Sequence, residues 1–204
     1  MKLNLGCGNQ VIQGWINVDY SLGAKFAKIP LFRIINKKLH LFDLDWDKRI
    51  FIHNLTKKFP WKNNTIDIIY SSHTLEHFTY EEGCFFLTEC HRILKHNGII
   101  RIVVPDLQVF VKEYIDGKLC ADQFIAKLGV LSGNSKNPIK NFLSHFIQFP
   151  HKCMYDTQTL LNLLNYIGFD AVSKKEFNSA IEDIKQIENK KRTEKAVIVE
   201  GRKR

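Results

Sequence analysis

Nowhere in the 204 residues does an apolar run approach the roughly 18 residues that a membrane-spanning helix needs. The first residues also lack the basic, apolar and small-residue succession of a secretory signal, so a cytoplasmic protein is expected. Cysteine is scarce: Cys7, Cys84, Cys90, Cys120 and Cys153 are odd in number, contain no C-x-x-C pair and sit in apolar surroundings. Reduced, buried thiols are the expectation. Acidic residues are outnumbered, 21 against 30 lysines and arginines, for a formal charge of +9. That excess could attract an anionic partner. Much of it is confined to residues 25–38 and 185–204, however, and no basic stripe is interleaved with aromatics, so a nucleic-acid partner is not favoured. There is no internal repeat and no low-complexity stretch.

What is present is a hydrophobic content of 45%, enough for one well-buried domain over residues 1–204 and short for two. Short β-rich runs alternate with helical patterns, which argues for crossover connections in a parallel sheet. Strands are expected at residues 2–5, 16–19, 50–53, 66–70, 99–104, 170–177 and 195–202. The fold class is therefore α/β, a three-layer Rossmann-like architecture around a seven-stranded, mostly parallel sheet. The last two strands are separated only by the charged segment 178–193, so they are expected to pair as an antiparallel edge. Residues 79–95 carry Phe86, Leu87, Cys90, Ile93 and Leu94 at helical spacing, with Glu81 and Glu82 at the start and Gly98 as terminator. A second helix is expected over 156–167, capped by Asp156 and stopped by Gly168. Residues 21–49 and 107–155 do not fit the alternation and are read as lid or substrate-wall insertions.

Gly6 and Gly8 directly follow the first strand, where missing side chains let the backbone approach a ligand. Asp19 ends the second strand, where a carboxylate can accept both hydroxyls of a ribose. A dinucleotide fingerprint needs a third glycine and an acid about 20 residues further on. Here Val11 occupies the third position and the acid follows Gly8 by only eleven residues. The crossover 9–15 has room for hardly more than one or two helical turns, too little to aim a long helix at a pyrophosphate. A ribose-containing ligand without phosphate suits this site better.

With these residues in place, the sequence resembles the class I S-adenosylmethionine-dependent methyltransferases, in particular the small bacterial type with a type 11-like methyltransferase domain. The resemblance is carried by "LNLGCG…GWINVD", "HNLTKKFPWKNNTIDIIYSSHTLEHF", "LTECHRILKHNGIIRIVVPDL" and "MYDTQTLLNLLNYIGF", in the family's order. It implies that Gly6, Cys7 and Gly8 form the turn beside the methionine part of S-adenosylmethionine and that Asp19 binds the ribose. It further implies that Asn54 and Leu55 lie against the adenine, and that Ser72 and His73 face the methionine and the transferring methyl, with S-adenosylhomocysteine as product. Asn4 and Asn54 stand where the family often has acids; an amide oxygen can still accept the same bonds. The sequence starts at the first strand, without the family's frequent covering helix, so residues 21–49 are expected to close the site.

"HTLEH", His73 to His77, also matches the inverted zinc-protease pattern H-x-x-E-H. That pattern needs both histidines on one helix face and a third ligand. Here the first histidine follows a strand directly, so Glu76 and His77 are read as structural and no metal is expected. Methyl transfer needs a base only if the nucleophile arrives protonated, and His73 is the candidate for that role or for positioning. His145, His151 and Tyr155 are candidate substrate-side residues. "SSHT" stands where methyltransferases of nucleobase amines carry N/D-P-P-F/Y. The acceptor is expected to be a small molecule or a glycan- or lipid-linked compound. Residues 21–36 could also lie on a membrane surface, though Pro30 interrupts them and a lid explains the same pattern. Three rivals share parts of this pattern: a catalytically silent cofactor-binding module, a zinc hydrolase using His73, Glu76 and His77, and a nicotinamide-dependent dehydrogenase.

Overall fold

The computed structural model describes residues 1–29, 46–130 and 150–204. Seven strands form one sheet: β1 (Lys2–Leu5), β2 (Ile16–Asp19), β3 (Phe51–Ile52), β4 (Ile66–Ser72), β5 (Leu94–Pro105), β6 (Phe169–Ser173) and β7 (Ala196–Lys203). Their order is β3-β2-β1-β4-β5-β7-β6. β1 to β5 are mutually parallel, while β7 runs against both β5 and β6. The last two strands thus make the expected antiparallel pair at the edge. Within it β7 is the reversed strand, inserted between β5 and the outermost β6. Strand order reverses between β1 and β4, so the carboxyl ends of these two strands flank the crevice where open sheets of this kind bind ligands.

The central strand β5 reads IIRIVV over residues 99–104, an apolar run broken only by Arg101, because both faces of the sheet are covered. On one face Leu5, Ile69 and Ile102 pack against Phe86 and Leu87 of α2 (Tyr80–Ile93) and Leu160 and Leu164 of a later helix, Thr157–Ile167. On the other, Tyr70, Val103 and Ile198 meet Trp15, Ile184 and Ile187. Before α2 stands α1 (Leu22–Phe26); after β5 come α3 (Leu107–Ile115) and α4 (Ala121–Lys127), then α5, the helix Thr157–Ile167. Two one-turn helices, α6 (Ile184–Ile187) and α7 (Lys190–Thr193), precede β7. Among the described residues no helix is long and apolar enough to cross a membrane. The two expected insertions are described only at their flanks: residues 30–45 and 131–149, with His145, lie outside the described residues.

Local chemistry sets the helix ends. Thr79 accepts from Glu82 N, and Glu82 reaches back to Thr79 N at 2.9 Å, a reciprocal capping box that fixes the start of α2. Thr79→Ala is expected to lower folding stability by about 1 kcal/mol, measured by urea unfolding, without changing the sheet. α5 is capped by Asp156 and ends at Gly168 in the left-handed region (φ +116°), as its sequence predicts. The end of α2 differs from expectation. It stops at Leu94, not at Gly98, and β5 begins there. Residues 95–98 then bulge out opposite the single residue Asp67, with Asn97 at φ +63°. The "HNG" signal is a turn within a strand. The crossover 9–15 contains no helix at all. Asn17 supplies what a helix would have: its side chain accepts from Ile12 N and donates to the carbonyls of Ile12 and Trp15.

Candidate functional site

The turn after β1 is held open by its glycines. Gly6 sits at φ +72°, and a Cβ there would lie 2.0 Å from the Thr74 hydroxyl oxygen, so this position excludes any side chain. Gly6 N and Cys7 N both donate to the Val18 carbonyl, at 2.9 and 3.0 Å, which locks the turn onto β2. Asp19 is nearly buried at the end of β2; its carboxylate accepts from Gly8 N at 2.8 Å and from Ser21 N at 2.7 Å. One acid therefore ties the glycine turn to the segment after β2. Burial, with Asp19 beside it, pushes the Cys7 thiol up to about 12. The thiol stays protonated and donates to Gly8 O, so it is no nucleophile.

Across the crevice, β4 ends at Ser72 and the chain turns sharply at His73, which adopts φ +52°. A 3₁₀ turn, Leu75–His77, follows. His73 Nδ1 faces Glu76 Oε1 at 3.2 Å, and its Nε2 meets the Arg192 carbonyl at 2.8 Å. Burial favours the neutral ring, but Glu76 and the Arg192 carbonyl outweigh it and raise the pKa of His73 above the ordinary histidine value. Both ring nitrogens face acceptors, which suits a ring that carries both protons. In this conformation neither nitrogen is left to take a proton from a substrate. Glu76 itself is fully buried. His73 and His77 do not share a helix face, because one ends a strand and the other closes a 3₁₀ turn; the inverted zinc-protease arrangement is absent here.

A family model described as a methyltransferase domain matches residues 3–102, the stretch from β1 to β5 that carries both walls of this crevice. Residues 3–102 belong to this methyltransferase-domain family. Solved structures agree with the chain in fold. One from Archaeoglobus fulgidus, named as a SAM-dependent methyltransferase, is 17% identical, with a TM-score of 0.52 over 99% of this chain and 85% of the other. One from Methanosarcina mazei, named likewise, is 15% identical, with a TM-score of 0.52 over 99% and 91%. The 1,6-didemethyltoxoflavin-N1-methyltransferase of Burkholderia thailandensis, with 1,6-didemethyltoxoflavin and S-adenosylhomocysteine bound, is 13% identical, with a TM-score of 0.50 over 99% and 70%. No curated protein matches the sequence.

Other residues expected at the site divide into those at the crevice and those behind it. Asn4 is buried in mid-strand and donates to Asn17 Oδ1 and Gln10 O, bracing the glycine turn from below. Asn54 accepts from the Thr56 backbone and hydroxyl, which fixes the loop after β3, while Leu55 packs into the core. Beside them Phe51, His53 and Trp61 form an aromatic cluster, with Phe51 43% exposed and so open to a flat ligand. Ser72 is buried at the carboxyl end of β4. Tyr155 is not on the substrate side: its ring is packed in the main core, 1% exposed, with the hydroxyl directed at Gly83 of α2. His151 lies near Glu76, its Nε2 4.0 Å from Oε1, and burial pushes its pKa below the ordinary histidine value despite that carboxylate.

Arg192 is the residue sequence reasoning missed. It belongs to the basic stretch 185–204, where the sequence marked no site, yet its guanidinium donates to Ser72 O at 3.4 Å, and a Cβ on Gly8 would lie 3.7 Å from Nη2. It is a fixed positive charge between the ends of β1 and β4. The segment carrying it is docked by Gln10 to Ile187 O, and by Trp15 and Lys2 to Asp183.

Proposed function

We propose that this chain binds S-adenosylmethionine between the turn 6–8 and Asp19 and transfers its methyl group to a small-molecule or glycan- or lipid-linked acceptor. The observation that carries the reading is the side-chain-free turn at Gly6 and Gly8, joined at 2.8 Å to a carboxylate at the end of the next strand. The residues present suit that cofactor. Asp19 supplies acceptor oxygens for ribose hydroxyls, the exposed aromatic cluster near Asn54 offers a face to an adenine, and Arg192 offers a cation to the methionine carboxylate. No helix start in the crossover 9–15 aims at a phosphate.

S-adenosylmethionine supplies a methyl group already activated on a sulfonium, so the chain's work is alignment and exclusion of water. His73, with both nitrogens engaged, acts in this reading as a positioning residue that holds the ends of β4 and α7 together. A small-molecule acceptor is supported by the fold shared with the Burkholderia enzyme, whose own acceptor is small.

Calorimetry with S-adenosylmethionine, S-adenosylhomocysteine and NAD tests the cofactor. The first two are expected to bind and NAD is not; the reverse result removes the reading. Asp19→Ala is expected to weaken S-adenosylmethionine binding by about 1–3 kcal/mol, because it strands the ribose hydroxyls and releases Gly8 N. Asp19→Asn, which keeps one acceptor oxygen, should lose less. Incubating the protein with labelled S-adenosylmethionine and fractionated extracts then identifies the acceptor by the label it takes up. Tight cofactor binding with no labelled product in any fraction contradicts the catalytic part.

A further inference from the structure

Glu76 poses a problem that the methyl-transfer reading leaves unanswered. Its side chain has no solvent exposure, and neither carboxylate oxygen makes a well-aligned hydrogen bond. A buried carboxylate normally has donors or a cation, since isolating it from water costs several kcal/mol. His73 faces one oxygen at 3.2 Å. A carboxylate offers about four lone-pair sites, so much of its acceptor capacity has no donor among the described residues.

The groups that converge on it are histidines. Glu76, His77 and His151 each offer a ligand atom, and these atoms all lie within 4.8 Å of one another. The His77 and His151 rings stand edge to face, with centroids 5.0 Å apart. The convergence is built by the backbone: Lys152 N and Cys153 N both donate to the Glu76 carbonyl, at 2.8 and 3.1 Å, and His151 N donates to Gly129 O at 2.9 Å. Gly129 at φ +68° leaves the room this needs, because a Cβ there would lie 2.8 Å from His151 Nδ1. His77 Nδ1 faces the Pro150 carbonyl at 3.4 Å, the kind of outer contact that orients ligating histidines.

We propose that Glu76, His77 and His151 bind a divalent transition-metal ion. Two imidazoles and one carboxylate are a donor set for zinc, manganese, iron or cobalt, and three protein ligands leave positions open for water or an oxygen-bearing ligand. A cation also gives the buried carboxylate a partner beyond His73. The site uses the second half of "HTLEH" and draws its third ligand from a segment 74 residues later in the chain, which is why the motif alone does not reveal it. It stands on side-chain geometry and is independent of which acceptor is methylated.

The test is titration of the metal-stripped 204-residue chain with Co²⁺, followed by visible d–d absorption. A saturable one-to-one band that zinc displaces is expected. His151→Ala and His77→Ala should each weaken Co²⁺ by at least the roughly 10–100-fold that loss of an outer-shell partner alone costs. His96→Ala, on the turn within β5, should leave it unchanged. Glu76→Gln should also abolish binding, and circular dichroism shows whether that variant is folded. If it is not, the histidine variants decide. No saturable band, or equal affinity in wild type, His151→Ala and His77→Ala, overturns the assignment.

Discussion

Arg101→Met is expected to remove about 3–5 kcal/mol of folding stability, read as a fall in the urea midpoint at unchanged slope. Arg101 lies in mid-β5 with no exposure, and each of its five N–H donors has an acceptor. Nε and Nη2 grip Glu188 as a fork at 2.9 Å each, Nη1 reaches Glu200 at 3.2 Å, and the remaining two bonds go to the carbonyls of Asn178 and Lys175. Glu188 and Glu200 are themselves buried and accept further bonds from Phe177 N, Ala180 N and the Ser179 hydroxyl. Removing the cation leaves two carboxylates facing each other's field in a dry place. Methionine fills much the same volume, so the loss measures charge rather than a cavity. A triple variant, Arg101→Met with Glu188→Gln and Glu200→Gln, should recover part of the loss, because neutral amides need no counter-charge. If the single and triple variants are equally unstable, the network contributes through packing alone. The effect should reach the site too, since this network clamps the segment 175–188 that leads into Arg192.

That network shows where the sequence stops being informative. Strand and helix existence followed from patterns and caps that act within a few residues, such as Asp156 and Gly168 around α5 or the short apolar run of β4. The glycine turn and Asp19 were legible for the same reason: they are neighbours in chain and in space. Arg101, Glu188 and Arg192 were not, because the contacts that define them, Arg101 with Glu188 and Arg192 with Ser72 and His73, span 87 residues or more of the chain. In sequence they resemble solvated charges; only the β7 insertion brings 175–193 onto the sheet and makes them interior. The Gly98 stop failed for a different reason, a register shift that lets one strand absorb a turn. Tyr155 failed because an aromatic beside a histidine-rich stretch has no local mark of which way it faces.

Gly6→Ala is expected to abolish measurable S-adenosylmethionine binding and to lower stability by about 2–5 kcal/mol. Two effects combine. A side chain at φ +72° costs about 1–2 kcal/mol, and forcing a methyl into a filled space adds about 1–3 kcal/mol. Thr74 cannot simply turn away. It is 8% exposed, β-branched, and its hydroxyl is surrounded by the carbonyls of Leu5, Gly6 and Ser72 at 3.4 to 3.5 Å. The backbone must therefore move, and with it Gly8 N, which carries the bond to Asp19. Gly14 provides the control: it sits at φ +79°, but a Cβ there meets nothing within 4 Å. Gly14→Ala should show the conformational part of the stability loss and bind S-adenosylmethionine normally. Thr74→Ala in the Gly6→Ala background should recover the steric part only, giving a coupling energy between the two positions. Should Gly6→Ala bind the cofactor as well as Gly14→Ala does, the turn after β1 is not where the cofactor lies, whatever the fold.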